Sequence, residues 1–459
     1  MFQRKHGETT PILQRLIHPE RVMAAGFLML ILLGGVLLSL PVSAKDGQSI
    51  GIGNGFFTAA SAVCVTGLIV VDTGTTFSLF GQLVLIVLIQ IGGLGFMVFA
   101  TLVMAALGRR ITLRGRMIIR ESMNTATLAG LVQLTCWYSL LAAGIELLGA
   151  AILCVRFVPL LGWGKGLYYS VWHAVSAFCN AGFDLFGQYS SLTGFQHDPM
   201  VLLTVAVLII LGGTGFAVIS EVIAGKLRRR AASLHTRLVL ISTAALLLGG
   251  TAFIALVEWR NPATLGAVDG AGYRLVNAFF QSATMRTAGF NSIDLASMHD
   301  GTKLFSALLM FVGASSASTG GGVKTTTVAV LLLSVWSVIR GGEETVVLGR
   351  RLPAALTRRA LAIVMVATLL LLTGTLTLTL AEGGRIPLID LLFETASALA
   401  TVGVTSAGTP GLTAFSRTVL VPLMYLGRVG PLTMAFALAD RQRQQKGSIR
   451  YPEENITIG

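Results

Sequence analysis

The sequence predicts an all-α integral membrane protein built from four similar span, re-entrant loop, span repeats, eight transmembrane helices in all. Three observations carry this prediction. Hydrophobic residues make up 54% of the 459 and charged residues 12%, against roughly 25% charged in soluble domains. Apolar runs long enough for a hydrocarbon layer of ~30 Å recur from end to end. One unit is written four times, each with a short segment and a glycine tip between two apolar runs.

The elements follow in chain order. A leader at 1–21 precedes repeat 1 at 22–107, repeat 2 at 108–224, repeat 3 at 225–339 and repeat 4 at 340–440, with a tail at 441–459. The paired spans are Val22 to Leu40 and Leu79 to Leu107, then Leu131 to Val155 and Met200 to Ala224. Leu238 to Val257 and Leu304 to Ile339 follow, then Ala360 to Ala381 and Thr418 to Leu438. Before each tip stand about ten residues of good helix formers, too few to cross a bilayer. A half-helix that enters and returns fits that length.

The formal charge of +13 is carried in short connections rather than on one amphipathic face, which argues against nucleic-acid binding. Arg4, Lys5, Arg15 and Arg21 lead the chain; Arg109 to Arg120, Lys226 to Arg237, Arg340 to Arg359 and Arg441 to Arg450 follow. By the positive-inside rule these segments and both termini are cytoplasmic. Val42-Ser43-Ala44 looks like a signal-peptidase site, but the apolar stretch before it is longer than a secretory h-region. Cys64, Cys136, Cys154 and Cys179 have neither metal-ligand nor disulfide-scaffold spacing and read as small buried residues.

The tips are Phe57 to Gly67, Trp172 to Gly182, Phe279 to Gly289 and Phe393 to Gly403, at intervals of roughly 110 residues. Each has an aromatic ten positions before the glycine and a small residue six before it: Ser61, Ser176, Ala283 and Ser397. Non-helical backbone at membrane depth is tolerated only inside protein or along a water-filled path. Four such dips from one chain enclose a pseudo-fourfold pore.

The last three residues of each tip are Val65-Thr66-Gly67, Asn180-Ala181-Gly182, Thr287-Ala288-Gly289 and Thr401-Val402-Gly403. Loops of this kind aim carbonyl oxygens at an axis, where they replace a cation's hydration shell. Glycine accepts positive φ in the final position, and half-helix C-termini add negative dipole ends. Glycine with small neighbours also marks close helix packing, but four aligned tips favour the filter.

These repeats strongly resemble the Trk/Ktr/HKT superfamily of potassium transporters over nearly the whole chain. The resemblance rests on Gly67, Gly182, Gly289 and Gly403, and on Ile91-Gly-Gly-Leu-Gly-Phe96 and Leu211-Gly-Gly-Thr-Gly-Phe216. Arg286-Thr-Ala-Gly-Phe-Asn291 and the segment from Gly313 to Thr327 add to it. It implies potassium bound by filter carbonyls, and Gly67, serine in some sodium-transporting members, implies potassium selectivity. Only about twenty residues precede the first repeat, which looks like the eight-span Ktr type. Such members form homodimers, one pore per protomer, on a cytoplasmic ring of nucleotide-binding, RCK-type regulatory subunits. No dinucleotide-binding fingerprint is present here, so that partner is a separate protein. K+ is then the transported ion, Na+ stands open as an activator, and no organic cofactor is expected.

Gly313 to Gly322 interrupts the second span of repeat 3 with Gly, Ala, Ser and Thr alone, a composition that breaks helices. By resemblance it is an intramembrane gate, with Gly313, Ser315, Ser316, Ser318, Thr319, Gly320, Gly321, Gly322 and Lys324 as candidate residues. The break is expected to set repeat 3 apart from its siblings. Arg428 stands in the fourth second span, where a charge costs ~3 kcal/mol and demands a partner; the loop carbonyls are the expected one. Glu146 is assigned a structural role. His173 and Glu394, nine before their glycines, are candidates to orient the half-helices, with Glu394 attracting cations at the outer mouth and Arg286 as its counter-ion.

An intramembrane enzyme would need a nucleophile with its base, an HExxH helix or a carboxylate pair, and none appears. A carrier of organic solutes remains the alternative from another class, though carriers show twofold rather than fourfold repeats. A sodium-selective or nonselective pore is the alternative within ion transport.

Overall fold

The computed structural model describes residues 19–95, 98–99, 101, 131–228, 232–342 and 344–430. Most of the basic leader, the cluster from Arg109 to Arg120, Arg229, Arg230 and the tail lie outside these residues.

Four long apolar helices begin the four units: α1 (Pro19–Ser39), α4 (Leu131–Leu161), α8 (Leu234–Glu258) and α12 (Ala354–Glu382). Each is long and apolar enough to cross a membrane, since 20 residues at 1.5 Å rise cover about 30 Å. Each is followed by a shorter helix that ends just before a tip: α2 (Ile52–Val63), α5 (Trp163–Phe178), α9 (Ala271–Thr284) and α13 (Leu388–Leu399). Three of these begin after a glycine at positive φ: Gly51 at 87°, Gly162 at 82° and Gly270 at 92°. Only Gly162 separates α4 from α5, so the reversal is made by one residue whose conformation a Cβ would strain.

The second spans are not the continuous helices expected from Leu79 to Leu107, Met200 to Ala224, Leu304 to Ile339 and Thr418 to Leu438. They comprise α3 (Leu79–Leu94), α6 (Pro199–Thr214) with α7 (Phe216–Arg228), α10 (Asp300–Phe311) with α11 (Thr325–Ile339), and α14 (Ala414–Val429). α3, α6 and α14 stop at Gly95, Gly215 and Gly430, with φ of 92°, 98° and 92°, a conformation outside the α-helix. The chain turns by 97° between α6 and α7. Units 2 and 3 are thus both interrupted, and α3 and α14 end at glycines in the same conformation, which corrects the expectation that repeat 3 alone is interrupted. Its distinction is length, with no helix between Phe311 and Thr325. At the start of the fourth unit, Val346–Val347 pairs antiparallel with Arg350–Arg351 through Leu348 and Gly349, both at positive φ. That two-residue hairpin is the one departure from an all-helical chain among the described residues.

Helix packing closes a circle. α3 packs on α5, α6 on α9, α10 on α13, and α14 on α2, so each second-span helix supports the half-helix of the next unit. The core lies around the tips, with Phe57, Trp172 and Phe393 almost fully buried. In repeat 3 the buried ring is Phe280 rather than the aligned Phe279, which is half-buried.

Carboxylates tie first spans to second ones. Glu382, at the end of α12, accepts from Thr413 N at 2.9 Å and Ser416 Oγ at 2.6 Å, and pairs with Arg385. Glu258, at the end of α8, accepts from His299 N at 3.0 Å and Thr302 Oγ1 at 2.5 Å. Glu382→Ala leaves buried donors without an acceptor, at a cost of about 2 kcal/mol or more. The expected result is an unfolding temperature in detergent several degrees below that of the parent; an unchanged temperature would show the carboxylate to be dispensable.

Candidate functional site

The four tips meet. A Cβ built on Gly67 would fall 2.6 Å from Ala181 O, and one on Gly182 would fall 2.6 Å from Gly289 Cα. One on Gly289 would fall 2.7 Å from Val402 O, and one on Gly403 would collide with Thr66 O. The contacts run 67 to 182 to 289 to 403 and back to 67, so the backbones form a closed ring in chain order. No side chain fits at any of the four positions.

The same backbone conformation is repeated in every tip. Gly67, Gly182, Gly289 and Gly403 have φ of 97°, 69°, 87° and 93°, and two residues earlier Val65, Asn180, Thr287 and Thr401 have φ of 56°, 59°, 73° and 54°. Thr66, Ala181, Ala288 and Val402 between them lie outside the positive-φ set. In an ordinary strand successive carbonyls point to opposite sides. Alternating the sign of φ turns them to the same side, the arrangement a ring of carbonyl ligands requires. β-branched residues are poor left-handed residues, and Val65, Thr287 and Thr401 each carry strain of about 1–3 kcal/mol. Nothing in the sequence signals this, because only Asn180 is a residue type that enters the left-handed region readily.

Buried hydroxyls hold the tips in this shape. Ser61 Oγ and Ser397 Oγ accept from Gly67 N at 3.1 Å and Gly403 N at 2.9 Å. Ser176 Oγ donates instead to Phe183 O at 2.7 Å, and in repeat 3 Thr284 Oγ1 donates to Phe290 O at 2.6 Å. The recurrence of serine six before the glycine was the available signal, although it reads from sequence as mere smallness. Ser397→Ala removes one such bond, worth ~1 kcal/mol, and, on the filter role that the resemblance implies, is expected to lower discrimination between potassium and sodium several-fold while leaving expression intact. Competition uptake measures it, and parental discrimination would show that the hydroxyl does not shape the ring.

The chain from Val312 to Lys324 lies directly against the ring. A Cβ on Gly320 or Gly321 would strike the hydroxyl of Thr287 or Thr401. Ser315 N donates to Gly213 O at 2.9 Å, Thr319 N to Gly212 O at 3.2 Å, and Thr319 Oγ1 to Phe178 O at 3.1 Å. Ser316 Oγ lies 3.0 Å from Thr326 Oγ1, and Ser318 Oγ donates to Ser315 O at 2.6 Å. Lys324 Nζ donates to Gly320 O at 2.6 Å. Arg428 on α14 donates to Thr319 O and Gly92 O, and to Gly93 O at 3.1 Å. It thereby links α14, the loop and α3, three different units, through carbonyls alone. Gly313 and Gly322 stand together at the loop's base, where Gly313 N donates to Val323 O at 2.9 Å.

Other candidates are placed differently from expectation. Glu394 is fully buried and accepts from Thr405 Oγ1 at 2.6 Å and Thr409 Oγ1 at 2.5 Å, so it anchors the chain after the tip instead of facing an outer mouth. Arg286 is not its counter-ion; it donates to Thr243 Oγ1 at 3.4 Å, and its Nε has no partner. His173 lies 2.6 Å from Tyr169 O and accepts from Leu185 N at 3.4 Å, again holding the chain after its tip. On the same half-helix as Glu394, Asp390 pairs with Lys303 at 2.8 Å. Past the second tip, burial pushes the Asp184 carboxyl up to about 7; the Phe186 and Gly187 N–H groups pull against this, and the Asp72 carboxylate adds to it.

The cation transport protein family TrkH matches residues 24–446. The chain is 42% identical to the Ktr system potassium uptake protein B of Bacillus subtilis, over 96% of this chain and 97% of that protein. It is 38% identical to the potassium/sodium uptake protein NtpJ of Enterococcus hirae, over 96% and 98%. The crystal structure of the potassium transporter TrkH from Vibrio parahaemolyticus superimposes with a TM-score of 0.69 at 18% identity, covering 91% of this chain and 85% of that one, and so shares the fold. With its ring of four tips and a family match that spans nearly its whole length, the chain belongs to the TrkH cation transport protein family and is most like its Ktr-type members.

Proposed function

We propose that the chain is the potassium-conducting subunit of a bacterial potassium uptake system, a multi-pass protein of the cell membrane. The observation that carries this reading is the closed ring of glycine backbones with alternating φ, which supplies neutral oxygens and no carboxylate. Neutral oxygens suit a weakly hydrated monovalent cation. The hydroxyls of Thr66 and Thr401, buried and without a partner, are further oxygens free to meet an ion. The four units form eight transmembrane helices and four re-entrant half-helices, with both termini on the cytoplasmic side.

In this reading the loop from Gly313 to Gly322, with Lys324 and Arg428, closes the path beneath the filter. Opening moves it aside. Two copies pair in the membrane on a separate nucleotide-binding RCK-type ring, consistent with relatives named as components of Ktr systems.

Purified protein in liposomes tests the reading. Potassium influx that saturates weakly and ignores organic solutes is expected. Equal sodium influx would favour the second reading, a potassium and sodium pathway, for which the likeness to the protein named for potassium/sodium uptake speaks. Transport of an organic solute without either ion would overturn both.

A further inference from the structure

Glu146 is the one buried carboxylate on α4, and its environment is unlike that of the other buried acids. Glu258 and Glu382, at helix ends, accept from hydroxyls and backbone N–H groups at the starts of the second spans, and Glu394 accepts from hydroxyls in the chain after its tip. Glu146 is 8% exposed in mid-helix, and its partner is Gln90 of α3, whose Nε2 lies 3.1 and 3.2 Å from its two oxygens. Among the described residues no cation lies within ion-pair distance of it. A mid-membrane carboxylate without a cation is costly and points to a functional role.

The contacts lead onward. Gln90 Oε1 accepts from Cys179 Sγ at 3.4 Å, and Cys179 Sγ lies 4.0 Å from Glu146 Oε1. Cys179 directly precedes Asn180 of the filter, and a Cβ on Gly93 would lie 2.6 Å from its sulfur. Gly93 O in turn accepts from Arg428 at 3.1 Å. An unbroken run of contacts thus joins Glu146, Gln90, Cys179, Gly93 and Arg428 around the inner end of the filter.

Both ends of this run are charged groups without a counter-ion in contact, and their signs are opposite. The Gln90 amide directs its N–H at the carboxylate and its oxygen at the thiol. Among the described residues no competing charge intrudes. α3 and α6 carry no ionisable side chain. On α5, Lys165 stacks on Tyr169, while Tyr168, Tyr169 and His173 bond to Gln82, Leu185 and Tyr169. On α4 itself Arg156 pairs with Asp198, and Tyr138 stacks on Phe216.

We infer that Glu146 is the counter-charge of Arg428, and that its negative charge offsets the barrier which the arginine raises against cations at the inner end of the filter. This rests on the potassium-conducting reading above. Neither charge touches the other, so the coupling acts through space across Cys179.

The experiment is potassium flux through the full chain in liposomes, for the parent, Glu146→Gln, Glu146→Asp, Arg428→Gln and the Glu146→Gln/Arg428→Gln pair. Glu146→Gln is expected to lower flux on the order of tenfold, the scale of one charge near the path at an effective dielectric of about 20. Glu146→Asp restores most of the flux, and because the barrier raised by the arginine is the step that limits flux, Glu146→Gln changes little once Arg428→Gln has removed that barrier. Parental flux in Glu146→Gln, or the same fold-loss in both backgrounds, overturns the inference. Should Glu146→Gln fail to assemble, acidification decides: protonating Glu146 lowers parental flux but leaves Arg428→Gln flat, and a flux ratio independent of pH overturns the inference. A parent that passes no potassium refutes the functional reading itself, a different outcome from either.

Discussion

Replacing Arg428 by glutamine is expected to raise resting potassium flux about tenfold and to blunt its response to regulation. The guanidinium donates to carbonyls of Thr319, Gly92 and Gly93, and hydrogen bonds to a charged donor are worth about 1.5–3 kcal/mol each. Only the difference between closed and open states counts. A loss of about 1.4 kcal/mol from the closed state multiplies the open population tenfold. Glutamine reaches less far and carries no charge, so the tether to Thr319 is lost and, on the proposed gating role, so is the repulsion of cations. Flux in liposomes without a regulatory partner measures the effect. Unchanged resting flux together with unchanged regulation would remove Arg428 from the gate.

The second large effect is expected at Gly67. Gly67→Ser places a Cβ 2.6 Å from Ala181 O at a backbone φ of 97°, where a side chain is strained and the neighbouring tip must move. Moving one wall of a four-sided ring alters every oxygen distance across it. Preference for potassium over sodium is expected to fall at least tenfold, about 1.4 kcal/mol in differential binding, while total cation flux persists. Competition between the two ions in the same uptake assay measures it. Preserved preference would mean that the glycine ring does not select the ion.

These two residues differ in how far the sequence reveals them. Gly67 is legible because it recurs in register with Gly182, Gly289 and Gly403, and duplication exposes itself by period. Arg428 is legible as a costly charge in an apolar run, but its three carbonyl partners come from α3 and the loop, hundreds of residues away in the case of Gly92. Lys324 and Ser315 are legible as members of a helix-breaking stretch; that Ser315 N bonds to Gly213 O is not.

Other features were illegible for stated reasons. The left-handed conformation of Val65, Thr287 and Thr401 opposes their intrinsic preference, and only the surrounding packing enforces it. The helix ends at Gly95, Gly215 and Gly430 were hidden because Gly92 and Gly93, Gly212 and Gly213, and Gly427 stand beside them, and small-residue clusters in apolar runs also mark close helix packing. The expected pairing of Arg286 with Glu394 failed because proximity along the chain to one pore level says nothing of which side of a half-helix a residue occupies.

What the sequence by itself determined is the apolar, helical class, the recurrence of the tip glycines and the family, since composition, period and motif are properties of the chain. What only the tertiary structure decided is the ring. Its closure from Gly403 back to Gly67, the support of each half-helix by the preceding unit and the Arg428 network all depend on backbone atoms. Backbone groups are chemically identical at every residue, so their partners are set by packing and leave no mark in the order of side chains.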